Sequence, residues 1–373
     1  MDLTRAADIV VIDHRAAPCA VVAAALRTGE HFTCGIGVSG VLFADADTPR
    51  AERDTPFDLA SLTKPITALT MARLIRGGLL SRAETLADVL PELSGTGSAR
   101  VSMDLLAAHR AGLDGHGALY TPLVQGADSI DRREALLLAA DMRHAPWTES
   151  SHVEGFVPVY SDLGYLLLGA ALEARAQKDL DEVMADDVFD PLGIGIGSAR
   201  MLRRRDPAFD TRVAPTEFVP FRGGLVRGAV HDENAWAFAK DATCGHAGLF
   251  GTAMDVVRLG VAVLDALEGR RPEWLAPDDV EPLVRPRPGG SLLAGFDARS
   301  GEESSSGARL GPRTFGHLGF TGTSIWIDPD AEFVGVLLSN RVHPTRTSLA
   351  IKRARPAAYD AMFDAMTTLG DRS

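Results

Sequence analysis

Strand-like segments cluster at the two ends of this chain, while the middle, roughly residues 84–270, is rich in Ala and Leu at helical spacing. Near the N-terminus, Ala20–Leu26 and His31–Val38 are apolar, β-compatible runs joined by the turn-like Arg27-Thr28-Gly29-Glu30. Near the C-terminus, Thr323–Asp328 and Glu332–Ser339 flank Pro329-Asp330-Ala331, which reads as a hairpin. Helical patterns run from Ser61 to about Leu80 and over Ser102–Ala108, Arg132–Met142, Asp162–Gln177 and Ala253–Leu267. Further helices fit about Arg5–His14 and Thr347–Met366, and residues 285–312 read as loop. The economical solution is an α/β fold in which N- and C-terminal strands pair in one antiparallel sheet, flanked by the terminal helices. An all-helical lobe is then inserted through the middle. Residues 1–60 and 285–373 form the discontinuous sheet region and 61–284 the mainly helical lobe, together a single unit. A junction between lobes is where an active site is expected.

With 373 residues and 46% hydrophobic content, the chain can bury a substantial core. No apolar run reaches membrane-spanning length, so no membrane partner is expected. The segment after Met1 lacks the basic start and apolar stretch of a secretory signal, which predicts a cytoplasmic protein if Met1 is the native start. A formal net charge of −12 argues against nucleic-acid binding. Three cysteines, Cys19, Cys34 and Cys244, leave at least one unpaired and show no metal-ligand spacing. No metal or organic cofactor is expected, the partner is a small-molecule substrate, and the oligomeric state stays open.

Gly35-Ile36-Gly37-Val38-Ser39-Gly40 matches a dinucleotide fingerprint, but strand and turn residues follow it where a helix is required. No GxSxG or HExxH motif is present. The chemistry centres on Ser61-Leu62-Thr63-Lys64. Positions i and i+3 share a helix face, so hydroxyl and amine can meet, and a serine needs a nearby base to become nucleophilic. Only four of the 38 basic residues are lysines, Lys64, Lys178, Lys240 and Lys352. A lysine therefore stands where arginine, which does not deprotonate, would fail. Pro65 places the helix start near Ser61. Read by itself, Ser61 also fits a simple helix cap.

Tyr160-Ser161-Asp162 and His317-Leu318-Gly319 follow in order, framed by Leu105–Leu113, Asp190-Pro191-Leu192-Gly193-Ile194 and Gly245–Ala253. Jointly these segments resemble the serine β-lactamase and penicillin-binding-protein superfamily. The likeness is to its class C branch with the related esterases and D-peptidases, and it covers about residues 18–360. Ser61–Lys64 resembles the family's nucleophile motif, Tyr160–Asp162 its Tyr-Xaa-Asn, and His317–Gly319 its Lys-Thr-Gly or His-Xaa-Gly. The resemblance implies that Ser61 attacks the carbonyl while Lys64 and Tyr160 act as a coupled base. It implies an oxyanion hole from the backbone N–H groups of Ser61 and Phe320, with His317 polarising the site or steadying Tyr160. For Tyr160 the plain alternative is packing against a helix start, and for His317 a satisfied buried histidine; His109 and His246 read as structural.

Two departures matter. Asp162 replaces the usual amide and adds a carboxylate beside the base pair, and Leu318 replaces a threonine that would bind a substrate carboxylate. For His231-Asp232-Glu233-Asn234 a solvated loop is the plainer reading, lining of the cleft the alternative. The expected function is a serine hydrolase working through an acyl-Ser61 intermediate on esters or small amides. The alternatives are a β-lactamase or D-amino-acid peptidase and, from another class, a non-catalytic binding protein with this fold.

Overall fold

The computed structural model describes residues 1–45, 47, 49–148, 154–301 and 303–368. One antiparallel sheet contains β1 (Cys19–Thr28), β2 (His31–Gly40), β3 (Asp297–Ala298), β4 (Phe315–Leu318), β5 (Ser324–Asp328) and β6 (Phe333–Ser339). Across the sheet the order is β2-β1-β6-β5-β4-β3. The two ends of the chain meet at β1 and β6, with Ala20 opposite Ser339 and Leu26 opposite Phe333.

Strand β1 is buried on both faces, so its sequence runs apolar instead of alternating. Val21, Ala23 and Ala25 enter the main core, and Ala20, Val22 and Ala24 a second one. The second core is closed by α1 (Thr4–Asp8) and α6 (Ile351–Thr367), the terminal helices expected there. The other face is covered by α5 (Ala253–Leu267). Residues 253–267 therefore pack with the sheet, although they fall inside the 61–284 stretch read as helical lobe. Gly260 makes this possible: a Cβ there would stand 2.6 Å from Val334 and 3.0 Å from Ile325. The helical lobe is built around α2 (Thr63–Arg76), which packs against α3 (Asp162–Ala176) and α4 (Leu180–Met184). Helices α2 and α3 are buried along most of their length.

Strand β4 is the one sheet strand of consequence that periodicity does not reveal. Four residues with a glycine among them are too few for alternation to register. The Gly35–Gly40 motif lies in β2. A Cβ on Gly37 would come within 2.2 Å of the Leu3 backbone, because the N-terminal segment crosses here and covers part of the sheet edge. Leu3 N–H bonds the Ile36 carbonyl at 3.1 Å, and Ile36 N–H bonds that of Met1 at 3.0 Å. Cys19, Cys34 and Cys244 are free thiols. Among the described residues no helix is long and apolar enough to cross a membrane.

Candidate active site

The site begins at a turn. Phe57–Asp58 pairs with the Leu249–Gly251 strand, and Ala60 then adopts φ +50°, unusual for a residue with a side chain. Asp58 Oδ1 accepts the Ala60 N–H at 2.8 Å and holds this bend. A 3₁₀ turn, Ala60–Leu62, leads into α2 at Thr63. Ser61 is left half-buried on the cleft, while Lys64, one turn on, is wholly buried.

Lys64 Nζ donates to Ser61 Oγ at 2.9 Å and to Asp162 Oδ1 at 2.7 Å. The His246 carbonyl lies 3.4 Å from the same nitrogen. Asp162 opens α3, whose N-cap is Ser161: its Oγ accepts the Gly164 N–H at 3.1 Å. Ser161 N–H in turn donates to His109 Nδ1 at 3.0 Å. These bonds fix Tyr160, whose ring packs 4.7 Å from that of His109 and 5.9 Å from that of His317. The Tyr160 ring edge is exposed to the cleft, but its hydroxyl is enclosed and faces Lys64 and Ser61.

Burial works against the Lys64 ammonium, yet Asp162 and Tyr160 outweigh it and hold Lys64 above the ordinary lysine range. Burial disfavours the Asp162 carboxylate too, and the Lys64 charge with the His116 contact holds it well below its usual range. Tyr160 is pushed up by burial, in part offset by Lys64. At rest Lys64 is therefore an ammonium, not the free amine that an SxxK motif leads one to expect. His317 is pushed down to about 3 by burial and by the Lys64 charge. Its Nδ1 sits 2.8 Å from the Leu318 carbonyl. The proton belongs on Nδ1, and Nε2 is left as an acceptor.

The opposite wall is the turn after β4. Gly319 N–H bonds the Thr323 carbonyl at 2.8 Å. Thr321 Oγ1 donates to the Asp58 carbonyl at 2.8 Å and Thr323 Oγ1 to that of Leu59 at 3.0 Å. Two threonines thus lace the 319–323 turn to the turn carrying Ser61. A Cβ on Gly319 would fall 1.9 Å from Thr323 Oγ1 and 2.8 Å from the Leu59 carbonyl. The Phe320 ring is 48% exposed and lies between His231, 5.7 Å away, and the Arg341 guanidinium, 4.6 Å away.

A cleft of about 630 Å³ joins these parts, with Ser61, Tyr160, Asp162, His317, Leu318, Gly319 and Phe320 on its walls. The sequence-predicted site residues therefore converge. His231-Asp232-Glu233-Asn234 is not a solvated loop. His231 and Asn234 are buried, and Asp232 and Glu233 line the cleft. Each polar group has a fixed partner: His231 N–H on Asp58 Oδ2 at 2.6 Å, Asp232 on His246 Nε2 at 2.9 Å, Glu233 on Arg346 at 2.6 Å. His246 and His109 sit behind the cleft wall. Sequence reasoning passed over Asp58, Thr321 and Thr323. Only the Thr321-Gly322-Thr323 run carries a local signal, that of a turn directly after Gly319.

The sequence matches the Beta-lactamase family over residues 8–359. It is 28% identical over 310 residues to an N-acetylmuramyl-L-alanine amidase of Bacillus subtilis, spanning 78% of this chain and 68% of that protein. Among solved structures, EstCE1, a hydrolase with promiscuous acyltransferase activity, superposes with a TM-score of 0.71 at 21% identity, covering 97% of each chain. A class C β-lactamase from Rhodobacter sphaeroides superposes at 0.67 and 19% identity, covering 98% of this chain and 99% of that one. With the family matched across nearly its whole length, the chain belongs to the Beta-lactamase family and is an enzyme of that serine hydrolase class.

Proposed function

We propose that this protein hydrolyses carboxylic esters or small amides through an acyl intermediate on Ser61. The contact that carries the reading is Lys64 Nζ on Ser61 Oγ at 2.9 Å, beside the Tyr160 hydroxyl and open to the cleft. Ser61 Oγ attacks the substrate carbonyl carbon, and its proton passes through the Tyr160–Lys64 pair to the departing alcohol or amine. Water then attacks the acyl carbon and the same pair returns a proton to Ser61. The Ser61 and Phe320 N–H groups face the developing oxyanion, a placement supported by the lacing of the two turns. Neutral His317 adds an uncharged acceptor on the wall beside Tyr160.

Leu318 favours esters, because it offers no hydroxyl to a substrate carboxylate. An unmet carboxylate costs about 1–3 kcal/mol or more on burial. One observation favours a second reading, an amide bearing a carboxylate: Lys352 lines the cleft and its side-chain ammonium has no ion-pair or hydrogen-bond partner among the described residues. The two separate by kcat/KM for p-nitrophenyl butyrate against a chromogenic cephalosporin and a D-alanyl amide, in wild type, Leu318→Thr and Lys352→Ala. The ester reading expects preference for the ester and a shift toward the cephalosporin in Leu318→Thr. Wild-type preference for a carboxylate substrate, lost in Lys352→Ala, establishes the second instead. A fluorophosphonate probe that leaves Ser61 unlabelled overturns the acyl-Ser61 mechanism.

A further inference from the structure

The two carbonyls that follow Leu318 are held by arginines with no acidic partner. Arg355, in the first half of α6, is 7% exposed, and its Nη2 donates to the Gly319 carbonyl at 3.0 Å and to the Thr323 carbonyl at 3.1 Å. Arg341 Nε donates to the Phe320 carbonyl at 2.8 Å, and its Nη1 reaches the Arg346 and Ser348 carbonyls at 3.2 Å each. Neither guanidinium forms a salt bridge among the described residues, Arg355 Nε has no partner, and both side chains line the cleft. Burial lowers Arg355 to about 10, which still leaves it charged at neutral pH.

A buried cation without a counter-charge is costly. Tying two carbonyls together does not need one, since the neutral amide of a glutamine can also donate to carbonyls. The charge falls on a particular peptide. The Gly319 carbonyl and the Phe320 N–H belong to the same amide group, so the carbonyl that Arg355 grips is conjugated to the N–H facing Ser61's substrate. A charged donor on the oxygen draws electron density from the nitrogen and makes its N–H a stronger donor, an effect that grows as water is excluded. Arg341, on the next carbonyl and over the Phe320 ring at 4.6 Å, fixes the plane of the neighbouring peptide.

We infer that Arg355 is a positioning residue that polarises the Gly319–Phe320 peptide and so strengthens the oxyanion donor without touching substrate. This rests on the assignment of Ser61 as nucleophile and of Phe320 N–H as oxyanion donor.

The test uses full-length Arg355→Gln, which keeps a neutral donor, and Arg355→Lys, which keeps the charge. Acylation by p-nitrophenyl acetate and phosphonylation of Ser61 by a fluorophosphonate are timed, and the acyl-enzyme carbonyl stretch is recorded by infrared difference spectroscopy. The glutamine variant is expected to acylate about 10-fold more slowly, a fraction of the 10²–10³ lost with a whole oxyanion donor. Its KM should change less than about twofold, and its acyl carbonyl band should move to higher wavenumber. The lysine variant should recover at least half of both effects. A folded glutamine variant with wild-type acylation and an unmoved band overturns the inference while leaving Ser61 intact. Absence of Ser61 labelling in the wild type overturns the underlying assignment and the inference with it. Should the glutamine variant not fold, a folded lysine variant within about threefold of wild type supports the inference, and a larger loss overturns it.

Discussion

In the proposed mechanism the chemistry turns on the Lys64 ammonium. Asp162 sits 2.7 Å from it, where a carboxamide would have left it free to lose its proton. Lys64 and Tyr160 are both raised above their ordinary values, so at neutral pH the pair carries one proton more than acylation requires. The rate of acylation is therefore expected to climb toward alkaline pH. Asp162→Asn removes the charge that holds the ammonium and leaves burial to act, so the rising limb of the kcat/KM profile should move down by about one to three pH units. A limb that stays in place would assign the titration to another group. Lys64→Arg should lose as much activity as Lys64→Ala, about 10²–10⁴-fold, because a guanidinium keeps its proton; stopped-flow acylation of the two variants makes the comparison. Lys64 was legible in the sequence because lysine is scarce in an arginine-rich chain. Its bond to Asp162 was not, since 98 residues separate the partners and no local pattern encodes their meeting.

At the level of elements, the 319–323 turn sets the distance between the two halves of the site. Gly319 has no room for a methyl group against Thr323 Oγ1 and the Leu59 carbonyl. Gly319→Ala should push the turn off the Ser61 segment and slow fluorophosphonate labelling of Ser61 at least about 100-fold, the scale of a lost oxyanion donor. Labelling at wild-type rate would show that the two turns are not mechanically joined. Long helices announced themselves through periodicity, and Ala253–Leu267 matches its sequence-predicted bounds. What periodicity left open is which layer that helix covers, because an apolar stripe fits a sheet as well as a neighbouring helix. The polar run 231–234 misled for the converse reason. Hydrophilic residues read as solvated until their partners, supplied by distant elements, are known.

Over the whole molecule, the buried neutral His317 couples stability to pH. Its folded value, about 3, lies below the ordinary 6.5, so the unfolded chain binds the extra proton between these limits. The contribution of His317 is complete above about pH 6.5 and is lost as pH falls toward 3, amounting to at most about 5 kcal/mol. Urea unfolding from pH 7 to pH 4 should show a shallower loss of stability in His317→Gln than in wild type. Parallel curves would mean that the imidazole becomes protonated in place. The pairing of the two ends was legible as the economical way to join two strand-like hairpins in one sheet, although each hairpin also pairs within itself.

That pairing also dictates an order of events during synthesis. β1 leaves the ribosome long before β6 exists, and at about 5–20 residues per second the roughly 300 residues between them take about 15–60 s to make. Through that interval the apolar Cys19–Leu26 stretch has no central partner, and the nascent chain already holds Ser61 and Lys64 but not the turn at Phe320. On the proposed mechanism, catalytic competence arrives only with the last strands, so chaperone binding to the waiting β1 segment, and not the supply of Ser61, should govern the yield of active enzyme.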